Sequence, residues 1–267
     1  MINKKILVKS FKNFYKNKPI NYCVIDNFFE RKIALKLEKE FPDFSSNIWH
    51  EYNNPLEIKK TCNQWNLFTP LIYQAFNYLN SHYFIYLISK NLKLKKLLLP
   101  DNGLHGGGLH THQNGGKLNK HLDYAIHPKF HKKRKYNLII YLNSKWKENW
   151  GGELGFWRED KGQPGELIDK IYPKFNRAVF FDTSQNSWHG LVSSVKSENK
   201  NCRISFAVYY HTDLSKSDNL HKRLKVLYAP NESQKKNKAI LNLIKKRSSI
   251  KNFYKFYIKN NNKPVKD

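Results

Sequence analysis

Tyr136-Asn137-Leu138-Ile139-Ile140-Tyr141-Leu142 is the run on which the fold turns. It is short, rich in β-branched and aromatic side chains, and bounded by lysines before it and by Asn143-Ser144-Lys145 after it. That pattern predicts a strand rather than a helix, with Asn137, Ile139 and Tyr141 on one face and Leu138, Ile140 and Leu142 on the other. Similar runs lie on both sides: Gly106 to His112, Lys120 to Ala125, Glu153 to Trp157, Ala178 to Asp182 and Arg203 to His211. Short strands separated by Gly, Asn and Lys, with no helical segments between them, predict an antiparallel barrel or jelly roll instead of alternating β-α units.

Outside this region the texture differs. Asn21 to Phe28 is rich in β-formers, and Glu30 to Phe41 spaces Ile33, Ala34, Leu35, Leu37 and Phe41 as a helix does. Asp43 to Asn63 is polar and is expected to be irregular. Leu67 to Leu97 predicts two supporting helices. After Ser215 the chain is strongly basic, with one helix expected around Ile240, Leu241, Leu243 and Ile244, and with Lys245, Lys246 and Arg247 as a solvated face or frayed end. The expected fold class is therefore β-rich α+β. Residues 1–100 form an N-terminal strand and supporting helices, 101–214 the core, and 215–267 a basic helical extension, all in one enzyme domain.

The 267 residues carry 48 Lys and Arg against 21 Asp and Glu, a formal net charge of +27. The basic residues are scattered from end to end, which reads as biased composition more than as a dedicated polyanion surface. Three distant cysteines, Cys23, Cys62 and Cys202, leave an odd thiol under any pairing and point to a reducing compartment. The basic N-terminus has no continuous apolar core of a signal peptide. No run reaches the roughly 18 apolar residues that span a bilayer. A cytoplasmic protein with no membrane partner is the expectation.

The chemistry gathers around Lys120-His121-Leu122-Asp123-Tyr124. Two residues apart on a strand, His121 and Asp123 leave the same face and bring an imidazole and a carboxylate to one point. His-x-Asp alone is weak evidence in a chain with 11 His, including His105, His110, His112, His127 and His131. A third ligand is offered by Trp188-His189-Gly190, just beyond the apolar strand Ala178 to Asp182. Two His and one carboxylate close one face of an octahedron and leave positions for a bidentate oxo-acid and dioxygen, the arrangement of non-haem Fe(II) oxygenases.

Fourteen residues on, Arg203 opens the strand Arg203 to Tyr210 and shares a face with Ser205. A guanidinium pointing into a barrel needs an anion, and its planar fork suits the distal carboxylate of 2-oxoglutarate. Ser205 can add a hydroxyl, and Tyr141 a phenol, though core packing explains Tyr141 equally well. The glycine-rich Gly106 to His112 is expected to line the entrance or to be a plain turn. Trp146, Trp150 and Trp157 are expected as an aromatic wall or as core.

In order, H-L-D, Y-N-L-I-I-Y-L-N, W-G-G-E-L-G-F, W-H-G and R-I-S-F-A-V-Y-Y resemble the prolyl 4-hydroxylase-like group of the Fe(II)/2-oxoglutarate oxygenase superfamily. The resemblance covers about Gly106 to His211, with a fainter echo in Asn21 to Pro42. It implies a double-stranded β-helix (cupin-like jelly roll) core, with His121, Asp123 and His189 as both metal ligands and catalytic centre. Arg203, Tyr141 and Ser205 would bind 2-oxoglutarate. Fe(II), 2-oxoglutarate, dioxygen and ascorbate are the implied cofactors. Collagen-type members carry Lys at the basic position, so Arg203 looks more like the hypoxia-sensing and microbial branches. Asp123, where related halogenases have Gly or Ala, favours hydroxylation.

The expected activity is hydroxylation of an unactivated C–H bond in a prolyl residue, amino acid or small metabolite, with release of succinate and CO2; fold alone does not choose among these substrates. Two other readings stay open. One is a nucleic-acid oxidative demethylase, which needs a base pocket and a clustered phosphate-binding surface. The other is a non-catalytic cupin-like protein that binds a metal, a small ligand or a polyanion through its basic tail.

Overall fold

The structure, a computed structural model, describes residues 1–127, 130–183, 186–198, 201–215 and 225–249. The helices among them are α1 (Lys4–Phe11), α2 (Arg31–Lys39), α3 (Pro70–Leu79), α4 (His82–Asn91) and α5 (Lys238–Ser248). The strands are β1 (Tyr22–Ile25), β2 (His50–Asn54), β3 (Glu57–Cys62), β4 (Gly108–His112), β5 (Lys117–Leu118), β6 (His121–Leu122) and β7 (Lys133–Tyr141). They continue with β8 (Leu154–Asp160), β9 (Gln163–Ile171), β10 (Arg177–Asp182), β11 (Trp188–Leu191), β12 (Arg203–Thr212) and β13 (Leu227–Tyr228).

These strands form two antiparallel sheets. The larger runs β1-β10-β7-β12-β4-β3-β2, with β5 beside β3, and the smaller runs β13-β6-β11-β8-β9. This is the β-rich double-stranded β-helix core that the sequence predicts. The strand that decided the reading, β7, lies inside the larger sheet between β10 and β12, with Ile139 opposite Val179 on one side and Ala207 on the other.

Strand parity distributes the core. Leu138 and Ile140 face outward with Phe180, Phe206, Val208 and Tyr210, and the N-terminal helices cover them with Leu7, Phe11, Leu37, Phe76 and Phe84. Phe76 stacks on Phe206 at 4.7 Å between ring centroids. Each aromatic buried in this way contributes roughly 1.5–3 kcal/mol relative to exposure. On the opposite face, Tyr141, Val179 and Phe181 meet Leu154 and Phe156 of β8 between the two sheets. One side of the larger sheet is thus sealed by helices, and the other faces the smaller sheet across the site.

Local signals set the helix boundaries. Thr69 caps α3 by accepting from the Ile72 amide, with Pro70 in the first turn, and Ser81 caps α4 by accepting from Phe84.

Several expectations are corrected. Residues 43–63 are not irregular: they hold the β2–β3 hairpin, which pairs onto β4 through Lys60, Thr61 and Cys62. Its strands are largely polar because they form a sheet edge with little apolar burial, so alternation is weak. Helix α1, strand β9 and strand β13 have no counterpart in the sequence reading. The run Lys120 to Ala125 pairs over two residues only; His189 follows β10 as expected, and the structure adds that it lies on a short strand of its own, β11. Trp146 and Trp150 pack edge to face at 5.2 Å beside an outer groove, while Trp157 joins Trp188 and Leu122 in a small core. No aromatic wall of these three exists.

Helix α5 forms where Ile240 to Ile244 predict it, and Lys245 and Lys246 are exposed. Arg247 is not solvated: its side chain packs against the core and pairs with Glu57. The sequence could not show that α5 folds back onto the site. The rest of the basic tail, 216–224 and 250–267, lies outside the described residues. Among those described, no helix is long and apolar enough to cross a membrane.

Candidate metal centre and active site

His121 and His189 stand opposite each other in register on β6 and β11, and Asp123 follows one residue past the end of β6. Gly190 makes this approach feasible, since a Cβ there would come within 2.8 Å of the Asn119 carbonyl oxygen. One ligand atom from each of His121, Asp123 and His189 lies within 4.8 Å of the others, and all three residues are buried. Asp123 Oδ1 is 3.8 Å from His121 Nε2, and its Oδ2 is 3.6 Å from His189 Nε2.

The outer nitrogens fix the imidazoles. His121 Nδ1 lies 2.9 Å from the Asn119 carbonyl and His189 Nδ1 lies 2.8 Å from the Ser187 carbonyl. Each carbonyl can only accept, so each Nδ1 carries the proton and each Nε2 presents a lone pair to the shared point. Asp123 Oδ2 is buried without a hydrogen-bond partner and faces the same point.

The electrostatics agree with that arrangement. Burial, reinforced by His189 and opposed by Asp123, pushes His121 down to about 3, so it stays neutral at physiological pH. Burial alone would raise the Asp123 carboxyl, but His189, Arg134 and His121 hold it below its ordinary range. Two imidazoles and one carboxylate fit a divalent transition metal with open positions.

Arg203, on β12, is 4% exposed. Its Nε donates to the Gly152 carbonyl at 2.7 Å, and an Nη donates to the Tyr141 hydroxyl at 3.2 Å. Gly152, in the Gly-Gly-Glu segment, has φ +73°, and a Cβ there would sit 2.9 Å from Arg203 Cδ. The glycine therefore supplies both a turn and the space beside the guanidinium. Tyr141 stands opposite Ser205 in register, and burial raises its phenol against the opposing pull of Arg203. Both hydrogen-bond partners of Arg203 are neutral, so its charge is left to attract an anion.

Arg203, Ser205 and the three candidate ligands line one cavity of about 660 Å³, and Tyr141 lies just behind Arg203. Gly106, Gly107, His110 and His112 also line it, as expected of an entrance segment. His112 stands opposite Arg203 on β4, buried with neither ring nitrogen hydrogen-bonded. The i, i+2 spacing of His110 and His112 was the available signal for both.

Three contributors escaped the sequence reading. Lys59 and Glu57 come from the hairpin that was expected to be irregular. Arg134 is hidden by a bulge: between Tyr210 and His211 the register of β12 with β7 shifts, so that parity counted back from Tyr141 puts Arg134 on the wrong face.

Comparison with known proteins bears on this site. Residues 107–211 match the family model of the 2OG-Fe(II) oxygenase superfamily. The chain is 38% identical to the prolyl 3-hydroxylase OGFOD1 of Xenopus laevis and 33% identical to that of Mus musculus, in each case over 79 residues, or 29% of this chain. Those matches span only 15% and 14% of the relatives' lengths. Among solved structures, a prolyl-4-hydroxylase from Pseudomonas putida superposes with TM-score 0.56 at 13% identity, covering 78% of this chain and all of that one. A prolyl hydroxylase from Trichoplax adhaerens, bound to a peptide fragment of hypoxia inducible factor, gives 0.54 at 16% identity over 78% and 90%.

Proposed function

We propose that the protein is an Fe(II)- and 2-oxoglutarate-dependent dioxygenase that hydroxylates an unactivated C–H bond of a peptidyl or small-molecule substrate, releasing succinate and CO2. The observation that carries this reading is the convergence of His121, Asp123 and His189 on one buried point in the same cavity as Arg203. The matched superfamily supports iron and 2-oxoglutarate as the cofactors, and neither the oxidative demethylase nor the non-catalytic alternative is favoured by the relatives. A prolyl residue is the preferred target on the strength of the relatives' names.

In this reading His121, Asp123 and His189 would hold the iron, and the Nδ1–H···O=C bonds of His121 and His189 keep their rings from rotating. Arg203, backed by Tyr141 and Ser205, takes the distal carboxylate of 2-oxoglutarate and sets how far its oxo-acid end reaches toward the ligands. Iron supplies the activation of dioxygen, coupled to decarboxylation of the oxo-acid. Ile139, an apolar residue lining the same cavity, helps keep the pocket dry and so strengthens these ion contacts. In this reading residues 101–214 are the catalytic core, 1–100 pack on it, and 215–267 are a basic C-terminal extension of the same enzyme domain.

The test is succinate release from 2-oxoglutarate under Fe(II) and oxygen, screened against proline-containing peptides, free amino acids and small metabolites. Succinate that rises with one class and vanishes in His189→Ala supports the reading. An absence of turnover with all classes, together with no binding of 2-oxoglutarate, counts against it.

A further inference from the structure

Arg134 sits beside the candidate ligands in an unusual setting for a cation. It is 3% exposed, and its guanidinium carbon lies 3.6 Å from the ring centroid of Tyr124 and 3.4 Å from that of Tyr209. The plane is thus held between two aromatic faces. One terminal nitrogen donates to the His105 carbonyl at 2.6 Å and to the Tyr124 hydroxyl. The other, Nη1, stands 3.7 Å from Asp123 Oδ1.

Tyr209, on the second face of Arg134, also lies beside the Asp123 carboxylate. Oδ2 has no hydrogen-bond partner, and Oδ1 is the oxygen that faces Arg134. One oxygen thus stands against a cation, and the other is free toward His189. A carboxylate with no such neighbour can rotate about its Cβ–Cγ bond and offer either oxygen or both.

We propose that Arg134 is a positioning residue: with Tyr209 it locks Asp123 so that Oδ2 alone meets the metal. This rests on the reading of His121, Asp123 and His189 as a metal centre. The aromatic sandwich explains why the group is an arginine, since a flat guanidinium fills the slot between two rings while keeping a hydrogen-bonding edge toward each of His105 and Asp123. A lysine would keep the charge and lose both the stacking and the second edge. Such partners of metal-bound carboxylates typically govern metal affinity by 10–100-fold.

The experiment measures Co(II) binding and the Co(II) ligand-field spectrum in the full chain, without turnover. The wild type should bind one Co(II), and His121→Ala should lose it; if the wild type fails to bind, or His121→Ala binds as well, the metal centre itself is wrong and this proposal goes with it. With that comparator in place, Arg134→Lys should weaken Co(II) about tenfold or more and shift the ligand-field bands, while affinity for 2-oxoglutarate at saturating metal stays within about threefold. A folded Arg134→Lys with Co(II) affinity within twofold of wild type and unmoved bands overturns the proposal. Should Arg134→Lys fail to fold, Tyr209→Phe removes only the hydroxyl beside Asp123 and decides the matter: shifted bands and weaker Co(II) support it, and an unchanged spectrum overturns it.

Discussion

Arg247 Nη1 on the C-terminal helix lies 2.7 Å from Glu57 Oε1 on the β2–β3 hairpin. The two residues are 190 positions apart, yet the pair closes the hairpin and the helix over one cavity, with Lys59 holding the other carboxylate oxygen at 3.1 Å. Burial alone would raise Glu57, but Lys59 and Arg247 bring it down to about 2. The guanidinium also lies over Tyr228, whose ring packs against His121.

Removing Arg247 leaves a buried carboxylate with one cation in place of two. Because Lys59 remains, Arg247→Ala is expected to cost about 3 kcal/mol, the low side of a broken buried pair. Urea unfolding measures the loss, and hydrogen exchange across 238–248 should show faster opening of α5. A change under about 0.5 kcal/mol with unaltered exchange in α5 would mean that the pair does not fasten the helix.

Gly152 makes a sharper local prediction. Alanine there must adopt φ near +73° and push its Cβ to 2.9 Å from Arg203 Cδ. The backbone term alone costs about 1–2 kcal/mol, and the contact displaces the guanidinium. Gly152→Ala should therefore weaken 2-oxoglutarate about tenfold or more while Co(II) affinity stays near wild type. Isothermal titration with each ligand separates the two, and a parallel loss of both would point to general unfolding instead.

How far the sequence disclosed this arrangement depends on where each residue gets its burial. Strands β7, β10 and β12 were legible because both of their faces are covered, by helices on one side and by the smaller sheet on the other, so apolar runs mark them plainly. The hairpin β2–β3 was not, because its strands are polar and pair only at a sheet edge. His121, Asp123 and His189 were found through the order of several motifs, whereas Arg134 was lost to a one-residue bulge that inverts parity. Arg247 depends on how a distant helix folds back, which no local pattern encodes.

The buried imidazoles set a pH dependence. Burial is the main cause that pushes His110 and His121 down to about 3 from 6.5, and it drives His112 well below its ordinary value. Above pH 6.5 both folded and unfolded chains hold them neutral. As pH falls from 6.5 toward 3, the unfolded chain takes up protons that the folded one refuses, and stability is lost. Glu57 adds a later stage: its depressed carboxyl stabilises the fold fully above 4.5, and that contribution fades as pH approaches 2. Urea midpoints in the presence of a chelator should drop steadily from pH 7 to pH 4. A midpoint that is flat between pH 7 and pH 5 would show that the imidazoles titrate normally and are not sealed in the core.

Arg203 gives the cleanest division between metal and co-substrate. Its side chain is held by Gly152 and Tyr141 and makes none of the metal contacts, so Arg203→Ala should leave Co(II) binding intact. The distal carboxylate would then enter a buried pocket without its cation, a loss of about 3–4 kcal/mol, or two to three orders of magnitude in 2-oxoglutarate affinity. Tyr141→Phe removes one hydrogen bond to the guanidinium but leaves the cation in place, and should cost only about tenfold. Succinate, which lacks the keto-acid end, should compete with 2-oxoglutarate in the wild type and fail to bind Arg203→Ala. Titration of all three proteins with both acids checks the order, and an Arg203→Ala protein that binds 2-oxoglutarate as tightly as the wild type would move the carboxylate site elsewhere, with Lys59 and His112 next in line.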